Sequence, residues 1–168
     1  EDRVASVSLA EALERGGVAL RVGGDDRYEV FRAAISDLPL PASFDRDNLL
    51  GLLMSREKSG GAAIGHGIAI PHPRYPVVLP GGKSVVRACY LEQPLDYHAG
   101  DGKLVDTLFL MICPTVHEHL QLIARLACLL KSDDFRKLLS SHPDRTRLVA
   151  AVRAGEVAFA ENGELQEA

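Results

Sequence analysis

The segment Ile64-Gly65-His66-Gly67-Ile68-Ala69-Ile70-Pro71-His72-Pro73-Arg74 holds the residues best suited to chemistry. His72 follows a short apolar run and stands between two prolines, which fix their own φ and hold the preceding residues out of helical conformations. Its ring is therefore presented from a stiff extended frame, which suits nucleophilic or acid–base work with a defined direction of attack. Local spacing alone leaves open the plainer reading of a solvated loop histidine.

The charge distribution favours an anion near that ring. From Lys58 through Leu91, 34 residues contain no Asp or Glu, whereas 23 acids in 168 residues would place about five there. Arg56, Lys58, Arg74, Lys83 and Arg87 lie in or beside the same window. A glycine-rich, acid-free stretch with cations around an exposed histidine would attract a phosphate-like group. A basic surface with no ligand is the alternative. Gly65-His66-Gly67 is weak support by itself, because it lacks the Lys-Ser/Thr ending of a P-loop and does not open a helix.

His117 and His119 form an HxH pair, but residues two apart in a helix point about 200° from one another and cannot share a metal. Their place in a first helical turn matters more, since free backbone N–H groups and the helix dipole favour a nearby anion there. A ring N–H of His119 would add to that. His66, His98 and His142 have no supporting pattern and read as surface or loop residues. No serine stands in a GxSxG elbow, and the cysteines lie in apolar contexts where thiolates are disfavoured. The carboxylates are scattered over expected helix surfaces and suggest no acid–base pair.

The elements that must position these residues follow from pattern. Ser8-Leu9-Ala10-Glu11 fits a capping box, with Gly16-Gly17 closing a helix over 9–15 and a strand over Val18–Val22 after it. Val30, Phe31, Ala34, Ile35 and Leu38 repeat at helical spacing up to Pro39, and Asp45 is a candidate N-cap for a helix ending near Lys58. Ile68-Ala69-Ile70 reads as a short strand entering a proline-stiffened loop. Ser84–Leu91 and Leu104–Cys113 read as neighbouring strands; the second is apolar almost throughout, as expected for a strand covered on both faces by helices.

Thr115-Val116-His117-Glu118 forms a second capping box, opening a helix to about Lys131 with Leu120, Ile123, Ala124, Ala127 and Leu130 on the expected core face. Shorter helices are expected over 133–141 and 143–153, and the polar stretch from Gly155 onward reads as a loose tail.

Composition sets outer bounds. With 168 residues, 46% hydrophobic and 25% charged, one soluble domain is expected. A formal charge of −4 argues against direct nucleic-acid binding. Cys89, Cys113 and Cys128 lie far apart in apolar runs and read as reduced core residues, consistent with the cytoplasm. No signal peptide or membrane-inserting segment is apparent. The chain opens on Glu1 rather than Met, which leaves an upstream module open.

Taken with Arg56-Glu57-Lys58, Pro94-Leu95-Asp96, Glu118-His119-Leu120 and Leu126-Ala127, the GIAIPH core ending at His72 resembles the phosphotransferase-system enzyme IIA domains of the fructose/mannitol type, a group that includes nitrogen-regulatory IIA proteins. The similarity runs from roughly Ser8 to Gly155. It implies a single α/β domain over 8–155, a mixed β-sheet of about five strands flanked by helices on both sides, with 156–168 as the tail. It also implies that His72 is phosphorylated by an HPr-like phosphocarrier, with His119 as second active-site histidine and Arg56 as phosphate-side arginine, and with no metal or cofactor. The recipient would be a IIB component or a regulatory target protein.

One departure stands out: where the family commonly has Gly-Ser-Thr-Gly, this chain reads Gly60-Gly61-Ala62-Ala63, without two hydroxyls that would bond the phosphate or hold the loop. That difference motivates an alternative, a non-catalytic regulatory binding module retaining the IIA fold. Pro71-His72-Pro73-Arg74 is reminiscent of regulatory members and tilts the reading toward regulation.

Overall fold

The computed structural model of the protein describes residues 7–167. Helix α1 (Leu9–Gly16) starts on the side chain of Ser8, which accepts from the Glu11 N–H, and ends at Gly17, whose φ of 75° favours glycine. Strand β1 (Val18–Val22) follows, then α2 (Arg27–Ser36) and α3 (Arg46–Glu57), capped by Asp26 and Asp45 respectively. Next come β2 (Ala63–Gly65), β3 (Ile68–Ala69), β4 (Val85–Leu95) and β5 (Val105–Ile112). Helices α4 (Val116–Leu129), α5 (Asp133–Ser140) and α6 (Arg145–Glu167) complete the described chain.

The strands form one mixed five-stranded sheet in the order β1-β4-β5-β3-β2. β1 runs parallel to β4, β4 antiparallel to β5, β3 parallel to β5, and β2 antiparallel to β3. The near-continuous apolar run of β5 is explained by its central place. Phe109 and Met111 pack with α1, α4 and α6 on one face, while Leu108, Leu110 and Ile112 pack with α2 and α3 on the other. Each such buried side chain stabilises the fold by about 1.5–3 kcal/mol. This is the α/β architecture with helices on both sides that the sequence implies.

Three features differ from the sequence reading. Strand β2 is absent from it, because three residues, one of them a glycine, carry no periodicity. The buried stripe of α4 is Leu122, Leu126 and Leu130; of the expected core face Leu130 is buried and Ile123 packs against the core, while Leu120 is 59% exposed. Two apolar rows run along this helix at helical spacing, so periodicity could not choose between them; the burying row is the one that also carries His119.

The expected loose tail over 156–168 is not found over the described residues, since α6 continues through Gly155 to Glu167. Its continuation is anchored by Glu156, whose carboxylate accepts from the backbone N–H groups of Leu9 (2.9 Å) and Ala10 (2.8 Å), and from Ser8 Oγ. The same carboxylate is paired with Arg125. These partners lie more than a hundred residues away or on another helix, beyond the reach of local pattern.

Candidate functional site

β3 and β5 are parallel neighbours, so the chain leaves both at the same end of the sheet. After β3 comes Ile70-Pro71-His72, and after β5 comes the turn into α4. The backbone of the first segment is held on two sides: Ile70 N–H donates to Ala62 O (2.9 Å), and Met111 N–H donates to Pro71 O (2.9 Å). The extension of β3 is thus fixed up to the residue before His72, as the two prolines require. Across the gap, Thr115 caps α4 through its hydroxyl, which accepts from the Glu118 N–H at 3.1 Å, and His119 occupies the first turn. The two rings meet with centroids 4.4 Å apart and planes tilted by 45°.

Arg56, in the last turn of α3, completes the cluster. Its Nε–H donates to Nε2 of His72 at 3.1 Å, and its Nη1 donates to the carbonyl of Gly60 at 2.9 Å. The other ring nitrogen of His72, Nδ1, stands 2.9 Å from the carbonyl oxygen of Ile70. A carbonyl only accepts, so Nδ1 carries the proton and Nε2 offers a lone pair. All three sequence-predicted site residues therefore converge at one place.

Both imidazoles are half-buried. Burial pushes His72 below the ordinary histidine value; the Ile70 carbonyl opposes the shift and the Arg56 charge adds to it. His119 is held down at about 4 by burial first, then by His72 and by Arg56. Both rings are therefore neutral at pH 7, and the site's permanent charge is the guanidinium. A cavity of about 150 Å³ opens beside the rings, lined among others by Arg74, Tyr75, Cys113, Thr115 and Val116.

Other residues of the basic window divide. Arg74 lines the cavity and donates to Ser55 Oγ at 3.3 Å, and Lys58 and Lys83 are exposed. Arg87 is buried instead, donating to the Gly16 carbonyl at 2.6 Å, and belongs to the packing of α1 on β4. His66, His98 and His142 all adopt positive φ, and none of them lines that cavity; His142 stacks on Tyr90 instead. His117 interacts with Gln121 at 3.2 Å on the outer face of α4. Among the described residues no group of three or more His, Cys, Asp or Glu is placed to hold a metal ion.

Two supports escaped the sequence reading. The Ile70 carbonyl fixes the His72 tautomer, which no residue type reveals. Behind Arg56, the neighbouring Glu57 is buried and paired with Arg27 at 2.8 Å, and the Arg27 guanidinium lies 3.9 Å over the Tyr97 ring. The only hint in sequence was an acid, Glu57, placed between Arg56 and Lys58.

An open mixed sheet with two neutral imidazoles and a guanidinium at one end defines an α/β protein with a histidine-centred, anion-attracting site. Residues 12–154 match the family described as phosphoenolpyruvate-dependent sugar phosphotransferase system, EIIA 2, and the chain belongs to it. The nitrogen regulatory protein of Pseudomonas aeruginosa is 34% identical over 151 residues, covering 87% of this chain and 95% of that one. The crystal structure of nitrogen regulatory protein IIA-Ntr from Neisseria meningitidis superposes with a TM-score of 0.72 at 23% identity, covering 86% and 98% of the two chains. Enzyme IIAMTL of Escherichia coli, solved in complex with phosphorylated enzyme IIBMTL, gives a TM-score of 0.61 at 14% identity, covering 82% and 94%. At those identities the structural likeness is one of fold.

Proposed function

We propose that this protein is a phosphoryl carrier in which Nε2 of His72 accepts the phosphoryl group from a phosphohistidine of an HPr-type phosphocarrier. The observation that carries the reading is the pair of contacts on one ring, with Nδ1–H donating to Ile70 O and Nε2 facing Arg56. That arrangement points a neutral, tautomerically fixed nucleophile at the place where an anion would be drawn.

In the transfer, the lone pair of Nε2 forms the new phosphorus–nitrogen bond as the donor's bond breaks, and the leaving pair returns to the donor ring. The proton on Nδ1 stays in place, where the Ile70 carbonyl accommodates the positive charge the ring gains. Arg56 turns from the nitrogen to the phosphoryl oxygens, which are stronger acceptors, and an N–H of His119 adds a second donor. No general base is needed, because the ring is already neutral.

The phosphoryl group would then pass to a IIB component, as the composition of the IIAMTL complex suggests, or its presence would be read by a regulatory target. The name of the Pseudomonas aeruginosa relative favours the regulatory branch. The cytoplasm is the proposed compartment, in keeping with three free cysteines, and no described helix is long and apolar enough to cross a membrane.

Incubation with a phosphorylated HPr-type donor should add one phosphate by intact mass, lost in His72→Ala. An unmodified wild-type chain with an active donor overturns this reading. The loss of hydroxyls at Gly61 and Ala62 favours a second reading, a regulatory binding module without turnover. Under that reading wild type and His72→Ala retain the partner equally in a pull-down.

A further inference from the structure

Gly61 and the cluster behind Arg56 are linked by space. A Cβ placed on Gly61 would lie 3.0 Å from Cδ1 of Tyr97 and 3.3 and 3.4 Å from the two terminal nitrogens of Arg27. The Gly61 backbone does not lie in the left-handed region, unlike that of Gly60 at φ 119°. What opposes a side chain at 61 is therefore close contact rather than conformation, since the neighbours would have to give by a few tenths of an ångström. The Tyr97 ring and the Arg27 guanidinium crowd the place a side chain would take.

The same guanidinium is held from two directions. It donates to Oε2 of Glu57 at 2.8 Å and stacks 3.9 Å over the Tyr97 ring. The Glu57 side chain is only 5% exposed, and its other oxygen, Oε1, has no hydrogen-bond partner, nor has the Tyr97 hydroxyl. A buried ion pair with unmet hydrogen bonds is weak as a stabilising device, since packed apolar groups commonly do as well. Its position suggests another use. Glu57 follows Arg56 directly, the Gly60 N–H donates to the Glu57 carbonyl at 3.1 Å, and the Gly60 carbonyl accepts from Arg56 Nη1. The segment that anchors the far end of Arg56 is thus packed against Arg27 and Tyr97.

We propose that Arg27, held between Glu57 and Tyr97, is a positioning residue that fixes the Gly60-Gly61 segment and through it aims Arg56 at His72, with glycine at 61 favoured by the closeness of the Tyr97 ring. This loop, which lacks side-chain hydroxyls, is braced from behind by a stacked arginine. The functional consequence rests on the phosphoryl-carrier reading; the geometric one does not.

The experiment uses the full chain in two measurements. The first is an NMR titration of the His72 imidazole in the unphosphorylated protein. Gly61→Ala displaces the brace, withdraws Arg56 and moves the His72 midpoint upward; Arg27→Lys, which keeps the charge but loses the planar stack, does the same. A wild-type midpoint in both variants overturns the proposal. The second is single-turnover transfer from a phosphorylated HPr-type donor. There Gly61→Ala lowers the saturating rate by about tenfold to a hundredfold with unchanged half-saturating donor concentration. In Tyr97→Ala, where the tightest contact is removed, adding Gly61→Ala costs less than it does in the wild type. Additive losses overturn the steric link. Should the wild-type chain accept no phosphate while the Gly61→Ala titration still shifts, the carrier reading fails and the positioning role stands.

Discussion

The Nε–H of Arg56 donates to Nε2 of His72 across 3.1 Å, so the lone pair through which the ring would react is already engaged in the resting protein. The guanidinium has a second anchor on the Gly60 carbonyl at 2.9 Å, and needs only to turn about it to meet an incoming phosphoryl oxygen. A charged acceptor with several oxygens binds the planar fork of a guanidinium more strongly than a single neutral nitrogen does. In the proposed transfer, donor arrival would therefore both free the nucleophile and fill the cation's need for an anion.

Replacing Arg56 tests this exchange. Arg56→Ala should lower the transfer rate by about a hundredfold to a thousandfold, the cost of removing one preorganised donor from a developing charge. Arg56→Lys should fall between the two, because an ammonium supplies charge without the planar fork. Rapid-quench measurement with a phosphorylated HPr-type donor distinguishes them. Equal rates in all three proteins would leave Arg56 without a role in transfer.

The pH dependence has a defined sign. The proposed reaction requires neutral His72, and burial, with Arg56 adding to it, holds its protonation below the ordinary 6.5. The acid limb of the transfer rate should therefore have its midpoint below pH 6.5 when donor ionisation is controlled for, and Arg56→Ala should shift it upward. The same logic applies to stability. His119 titrates at about 4 in the folded chain and nearer 6.5 when unfolded, so the unfolded state binds the extra proton between these values. The His119 contribution is complete above pH 6.5 and is lost as pH falls toward 4, which denaturant titrations across that window would read.

Phosphorylation should reverse the electrostatics at His119. In the resting chain its charged form is disfavoured by burial, His72 and Arg56. A phosphoryl dianion on the adjacent ring adds an opposite charge, which raises a histidine's pKa. An NMR titration should show the His119 midpoint moving upward after phosphorylation, with the largest change at a ring nitrogen. His119→Ala should still accept phosphate but more slowly, and with faster hydrolysis of the product. A midpoint identical in both states would place His119 outside the phosphate's reach.

What the sequence conveys about this site is residue type and local stiffness. Pro71 and Pro73 announce a rigid exit from β3, Thr115 announces the start of α4, and each is where local physics puts it. The meeting of His72 and His119 is not local: it depends on β3 and β5 being parallel neighbours, and a two-residue strand such as β3 carries too little pattern to reveal its partner. Resemblance to a family supplied that pairing. The rotation of α4 was likewise ambiguous between two apolar rows, and Arg87 shows why sequence charge is not surface charge. Its guanidinium is buried on the Gly16 carbonyl rather than offered to an anion.

Glu156 gives the last test, of stability rather than transfer. Its side chain is 10% exposed and ties α6 to the start of α1 and to Arg125 on α4. Burial opposes its ionisation, but the Ala10 N–H, Arg125 and the Leu9 N–H outweigh that and hold its carboxyl below 4.5. A carboxylate depressed in the folded state contributes stability above its unfolded pKa and loses it as pH falls through the folded one. Glu156→Ala leaves Arg125 and two helix N–H groups without their acceptor, and should cost about 2–4 kcal/mol at pH 7. Because the carboxyl is protonated in both states at low pH, the difference from wild type should narrow as pH falls below 4.5. Chemical denaturation at pH 7 and at pH 3.5 measures both quantities, while the His72 titration, which senses the other end of the sheet, should stay that of the wild type. A penalty below 0.5 kcal/mol at pH 7, the size usual for a surface substitution, would mean that α6 does not depend on this anchor.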